Sequence, residues 1–157
     1  MIIFLDIASK AIPNFAGIKY SKYDANDFGK CLHYEQGSKN ILFGVDEKLI
    51  DSLAFGATGW VGSTYNHLSP LYYKLISSYK NRELEKVNDL QAKALLFVET
   101  LDKLCSFNGA GKSFVQVFRL DMGPSRYPPG TMTENQLQQA LKILASNGVT
   151  PYLSQSI

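Results

Sequence analysis

An α/β fold with a short parallel sheet, continued by a run of helices, is what this sequence predicts, and three observations carry the prediction. Short apolar runs alternate with amphipathic stretches as far as Tyr65, which is the rhythm of strands joined by crossover helices on the outside of a parallel sheet. From Ser69 onward the spacing of apolar residues is helical throughout. The 157 residues, 45% hydrophobic and 19% charged, suffice for one soluble domain with a real core.

Ile3, Ile7 and Ala11 lie four apart with Phe4 and Ala8 beside them, so the first element is expected to be a helix packed by that stripe on a sheet and stopped by Pro13. FAGIKY, residues 15 to 20, is a short apolar run with an embedded lysine and reads as a buried parallel strand. Asp24 opens a polar stretch with helical spacing at Phe28, Leu32 and Tyr34 or Glu35. NILFGV, 40 to 45, is the second strand, and Asp46 is placed to cap a helix over DEKLIDSLAFG that Gly56 ends. ATGWVGSTY supplies a third strand around Thr58 to Ser63. Helices follow from Leu71, from Leu84 to Leu104, from Phe114 to Leu120 and from Glu134 to Ala145, with MGPSRYPPG at 122 to 130 a loop. The expected organisation is a single domain, with residues 1–68 carrying the strands and 69–157 the last sheet-packing helix and a helical extension.

The formal charge of +2 comes from 16 basic and 14 acidic residues without any block of one sign, which favours neither a nucleic-acid nor a membrane partner. A small polar or anionic ligand fits that balance. Cys31 and Cys105 stand in no metal or CxxC spacing and no N-x-S/T sequon occurs, so both are read as free thiols in a reducing cytosol. The opening MIIFLDIASKAIPNF lacks a basic leader and is interrupted by Asp6, so a helix is expected there rather than a signal or an anchor.

A lysine in the middle of an apolar strand is costly, because burial disfavours the ammonium form. Lys19 is therefore a candidate for a neutral amine that attacks a ketone; the iminium so formed draws electrons from neighbouring carbons and lets a carbon–carbon bond break. The bland alternative is a lysine that snorkels out at a strand end. Reactive groups in parallel α/β barrels sit at the carboxyl ends of strands, and three clusters occupy such places: Lys19 with Ser21; Gly44 with Asp46 and Glu47; Gly62 with Ser63, Thr64, Tyr65 and Asn66. The paired carboxylates can accept hydrogen bonds from the hydroxyls of a sugar, or Asp46 is only a helix cap and Glu47 a first-turn acid. Ser63 offers a hydroxyl in a turn of small residues, which is equally a plain loop. GAGKS at 109 to 113 lacks the first glycine and the preceding strand of a phosphate-binding loop and is expected to be a helix–helix turn. The residues around Ser63 do not form a G-x-S-x-G elbow, and His33 and His67 have no acidic or cysteine partner at ligand spacing, so no metal is expected.

Taken in order and spacing, GIKYS at 17 to 21, FGVDE at 43 to 47 and GATGWVGSTYN at 56 to 66 resemble the sixth, seventh and eighth strand regions of N-acetylneuraminate lyases. These belong with the pyruvate-dependent class I aldolases that include dihydrodipicolinate synthase. The resemblance runs from about Pro13 through the GPSRYP loop to the C-terminal helices. It implies a partial (β/α)8 TIM barrel, its last three strands followed by C-terminal helices. It also implies Lys19 as the Schiff-base lysine and Ser21, Gly44, Asp46, Glu47 and Ser63 as substrate-binding positions. The implied reaction is cleavage of N-acetylneuraminate to N-acetylmannosamine and pyruvate with no cofactor, in a cytoplasmic homo-oligomer, the family's tetramer. The family's Thr-Thr-Gly-Glu loop and its proton-shuttling tyrosine, both upstream of the lysine, have no counterpart in this sequence. The expectation is thus a chain carrying the C-terminal half of a lyase, as a truncated product, splice form or partial gene model. Two alternatives stand beside it: a related pyruvate-type aldolase acting on another aldehyde, and a non-catalytic fragment that associates with full-length subunits.

Overall fold

Two four-residue strands, β1 (Gly17–Tyr20) and β2 (Asn40–Phe43), pair in parallel with Gly17 opposite Asn40 and Tyr20 opposite Phe43. The crossover between them is helix α2 (Ala25–Leu32), whose N-cap is Asp24; its carboxylate accepts the Asp27 backbone N–H at 3.0 Å. Because successive strand residues point to opposite faces, Ile18, Tyr20, Ile41 and Phe43 share one side and Lys19 and Leu42 the other. The first side is the core. Tyr20, Ile41 and Phe43 are buried there with Leu5, Phe28, Cys31 and Ala57, and the Phe28 ring lies 5.3 Å from that of Tyr20 and 4.9 Å from that of Phe43. Each such aromatic contributes about 1.5–3 kcal/mol by leaving water. These elements belong to the first of two compact units in this computed structural model, Met1–Gly62; the second begins at Ser63, and residues 1–155 are described.

Three expectations for this first unit are corrected. The helix α1 forms as Ile2–Ala11, but it turns Leu5 and Ala8 inward, while Ile3, Phe4 and Ile7 are 77%, 52% and 60% exposed. Helix periodicity marks an apolar stripe without saying which of two stripes meets the sheet. The third strand shrinks to a single bridge between Phe43 and Trp60, made by Phe43 N–H to the Gly59 carbonyl at 3.0 Å and Val61 N–H to the Phe43 carbonyl at 2.9 Å. Its sequence is rich in glycine, which weakens strands. Asp46 is not the cap of α3 (Leu49–Ala54): that position is Lys48, and Asp46 begins a 3-10 turn ahead of it.

The second unit is helical. Helix α4 (Tyr65–Lys80) starts earlier than the periodicity predicts and kinks at Leu68, since Pro70 has no N–H to give to the preceding turn. Helix α5 (Leu84–Cys105) runs almost as expected, and its buried Val87, Leu90, Ala94, Phe97 and Leu101 form one face. GAGKS does not form a turn; it lies within α6 (Phe107–Phe114), and the expected helix from Phe114 to Leu120 reduces to a 3-10 stretch, Val115–Phe118. Two glycines in a helix cost roughly 1 kcal/mol each relative to alanine. Close approach offsets this: a methyl group at Gly109 would collide with the Gly130 carbonyl of the 122–130 loop. Helix α7 (Glu134–Ser146) begins with a reciprocal capping box between Thr133 and Gln136. No helix of the described residues is long and apolar enough to cross a membrane.

Candidate functional site

Lys19 is exposed, not buried as its apolar strand predicts. The alternation that sends Tyr20 into the core sends Lys19 to the opposite face, which no described element of the first unit covers. Tyr20 itself is held by its hydroxyl, which donates to the Asp24 carbonyl at 3.2 Å and the Asp27 carboxylate at 3.0 Å. Burial first, and the Asp27 carboxylate second, push its ionisation well above the usual phenol range. The residue next to Lys19 is thus a fixed anchor that sets the direction of β1.

The strand ends bring Lys19, Ser21 and Gly44 together. Gly44 follows β2 and its N–H donates to the Tyr20 carbonyl at 2.8 Å, continuing the ladder past the last strand pair. A Cβ at this position would lie 2.5 Å from Lys19 Cε, 2.8 Å from Ser21 Oγ and 3.0 Å from Lys19 Cγ. Glycine is therefore required for the lysine stem and the serine hydroxyl to lie over the end of β2. Asp46 is buried, and a Cβ at Gly62 would collide with its carboxylate. Glu47, its neighbour, is half-buried. Leu42, beside Lys19 in the register, occupies the place a side chain at Gly59 would need. The first unit thus brings the Lys19 stem and the Ser21 hydroxyl together over Gly44, while Asp46 and Glu47 lie in the turn that follows β2, Asp46 against Gly62.

Ser63 opens the second unit and lines a cleft of about 190 Å³ together with Asn66, His67, Asn108, Lys112 and Met122. Sequence reasoning named Ser63 and Asn66 of this cleft and missed the rest. Asn108 and Lys112 come from α6, and no motif announces that a helix will pass this turn. Lys112 donates from Nζ to the Pro124 carbonyl at 2.7 Å, which ties its ammonium to the GPSRYP loop. His67 is 4% exposed, with Nδ1 at 3.1 Å from the Ser63 carbonyl and Nε2 at 2.9 Å from the Gly111 carbonyl. Burial, the largest influence, lowers its pKa below the ordinary histidine value, against the raising effect of the two carbonyls. Among the described residues no three His, Cys, Asp or Glu side chains converge as metal ligands would, and both cysteines are free.

The profile of the dihydrodipicolinate synthetase family matches residues 7–147. An N-acetylneuraminate lyase of Danio rerio is 38% identical over 123 residues, which are 76% of this chain and 39% of that protein. One from Rattus norvegicus is 36% identical over 126 residues, 79% of this chain and again 39% of the relative. Among solved structures, the Proteus mirabilis N-acetylneuraminate lyase superposes with a TM-score of 0.89 at 36% identity, covering 95% of this chain and 50% of the other. The lyase of Aliivibrio salmonicida gives 0.88 at 28% identity, with 95% and 49% covered. The chain therefore spans half or less of the proteins it matches.

Proposed function

Because the chain belongs to the dihydrodipicolinate synthetase family, we propose that it carries the lysine-bearing part of an N-acetylneuraminate lyase-type aldolase, with the last strands of a (β/α)8 barrel. The single observation that carries the reading is the packing of Lys19 and Ser21 over Gly44, on the face of the sheet turned away from its core. The nearest chemistry for such an amine is an imine with a 2-keto acid. The Lys19 nitrogen, as the neutral amine, adds to the ketone of N-acetylneuraminate and water leaves; the bond between the two carbons beyond the iminium carbon then breaks, its electron pair moving toward the iminium while the hydroxyl on the departing carbon gives its proton to water. N-acetylmannosamine departs as the aldehyde, the remaining enamine takes a proton, and water releases pyruvate and the free lysine. Ser21 is placed to hydrogen-bond groups beside the imine, while Asp46, Glu47 and Ser63 serve the hydroxyls of the sugar tail, orientation being their contribution. No cofactor is needed, and the reading includes a cytoplasmic, self-associating protein with small-molecule partners.

The test is turnover. Incubated with N-acetylneuraminate, the chain is expected to release N-acetylmannosamine and pyruvate in equal amounts, and Lys19→Ala to release neither above background. Release from another 2-keto acid substrate and none from N-acetylneuraminate would replace the sugar by a different aldehyde.

A second reading is favoured by the exposed Ile3, Phe4 and Ile7 of α1 and by the outer edge of β1, which has no strand beside it among the described residues. An open strand edge and an exposed apolar stripe are each a surface for association. In this reading the chain acts by joining full-length subunits of its family. Ile3→Glu with Ile7→Glu is then expected to abolish co-elution with such a subunit in size exclusion; unchanged co-elution would remove α1 from the contact.

A further inference from the structure

We propose that His67 is a positioning residue that sets the width of the Ser63 cleft, its imidazole pinning the Ser63 turn to α6 through two backbone carbonyls. The inference rests on the reading of Ser63 as part of the sugar site, and the geometry carries it beyond that reading. The cleft has two walls, the segment Ser63–His67 and helix α6 with the residues just after it. His67 is the side chain that reaches from one to the other, with the Ser63 carbonyl at 3.1 Å from Nδ1 and the Gly111 carbonyl at 2.9 Å from Nε2. Gly111 lies in the last turn of α6, and the Ser63 carbonyl also receives the Asn66 N–H at a long 3.3 Å.

Aromatic rings pack around the imidazole. Phe97 of α5, Phe114 of α6 and Phe118 of the 3-10 stretch face it with ring centroids at 5.4, 5.9 and 6.2 Å. From the C-terminal segment, the Ser154 N–H meets the backbone carbonyl of His67 and not its ring. The charged group on the cleft wall, Lys112, is engaged with Pro124. A carbonyl can only accept, so each protonated ring nitrogen makes one bond. The neutral ring serves one carbonyl, and the tautomer decides which; the imidazolium serves both. The Gly111 contact is the shorter and the more buried, so the proton of the neutral ring belongs on Nε2. The second proton, on Nδ1, then closes the grip on Ser63. Proton uptake by His67 therefore tightens the turn that presents the Ser63 hydroxyl.

The experiment uses the full chain and needs no substrate for its first arm. Hydrogen exchange at the Asn66 amide, corrected for its intrinsic pH dependence, is expected to slow by about tenfold as the ring titrates below 6.5, one hydrogen bond's worth. His67→Phe, which removes both donors, is expected to make that profile flat. His67→Asn, which keeps a donor at the Nδ1 position, should hold the slow rate at every pH, and His67→Gln, with its donor at the Nε2 position, should exchange fast. A pH-independent Asn66 rate in the unsubstituted chain overturns the proposal without reference to any variant's folding. The second arm titrates N-acetylmannosamine by NMR: tighter binding as the pH falls past the ordinary histidine range in the unsubstituted chain, absent in His67→Phe, is the expected result. Equal sugar affinity in both would overturn the link to the cleft. No sugar binding at all, with the exchange profile as expected, would instead remove Ser63 from the sugar site and leave the pin in place.

Discussion

Treated with pyruvate and then borohydride, the chain is expected to carry a stable adduct on Lys19 and on no other lysine. Imine formation is reversible, and reduction converts it to a secondary amine that peptide mass analysis can place. The selectivity is expected because Lys19 has a hydroxyl beside it at a strand end and a glycine beneath its stem, with Ser21 Oγ and Lys19 Cε both crowding the Cβ position of Gly44. The surface lysines Lys10, Lys86 and Lys103 are instead ion-paired to Asp6, Glu83 and Glu99. Lys19→Ala is expected to drop the adduct to background. Lys19→Arg should do the same while keeping the positive charge, since a guanidinium does not form the imine. Gly44→Ala is the sharper control: the lysine is still present, yet a methyl 2.5 Å from its Cε must push the stem aside. The yield should fall severalfold in a protein whose far-UV spectrum is unchanged. An equal adduct in Lys19→Ala would mean that pyruvate finds lysines at random, and the aldolase reading would fall with it.

Phe97→Ala is expected to be the most damaging single truncation in the second unit, costing about 3–5 kcal/mol in urea unfolding followed by helical signal. Phe97 is fully buried in the middle of α5, and its ring meets that of Phe114 edge-on at 5.2 Å and that of His67 at 5.4 Å. Removing it deletes a large apolar volume at a point where three elements meet. The walls are helices pinned elsewhere, by the capping box of α7 and the tight Gly109 contact of α6, so they relax little and a cavity remains. Since the whole stability of a domain is typically about 5–15 kcal/mol, the loss is a large fraction of it. A loss under 1 kcal/mol would show that the aromatic cluster re-packs freely, contrary to its close geometry.

What the sequence disclosed and withheld follows from which forces are local. The strand within FAGIKY, observed as Gly17–Tyr20, the helix that follows Asp24 and the start of α7 at Glu134 are written in neighbouring residues, and the structure has them where the pattern predicts. The face of α1 was not legible, because Ile3, Phe4, Leu5 and Ile7 surround the helix and only the partner surface chooses among them. The helical state of GAGKS was hidden for the opposite reason: its glycines argue locally for a turn, and what overrides them is a carbonyl from the distant residue Gly130. Within the candidate site, Lys19, Ser21 and Gly44 could be named from motif spacing, and the structure brings those three together. Asn108 and Lys112 could not, since nothing in their own segment states that it will border Ser63. The exposure of Lys19 contradicts the burial argument that first singled it out, and strand alternation explains why: the same apolar run that buries Tyr20 turns its neighbour outward.

The parallel pairing of β1 with β2 has a bearing on the order in which this protein is assembled. Lys19 and Gly44 sit at the ends of strands separated only by one helix and its short connections, Ser21 to Lys39. Loop-closure entropy rises slowly with length and is small for such a span, and contacts this close in sequence form early in folding. The corner that holds the amine can therefore take shape as soon as β2 has been synthesised, while the helices that complete the chain are still to come. On the ribosome, the lysine would be in position before Asn108 and Lys112, on the α6 wall of the Ser63 cleft, exist.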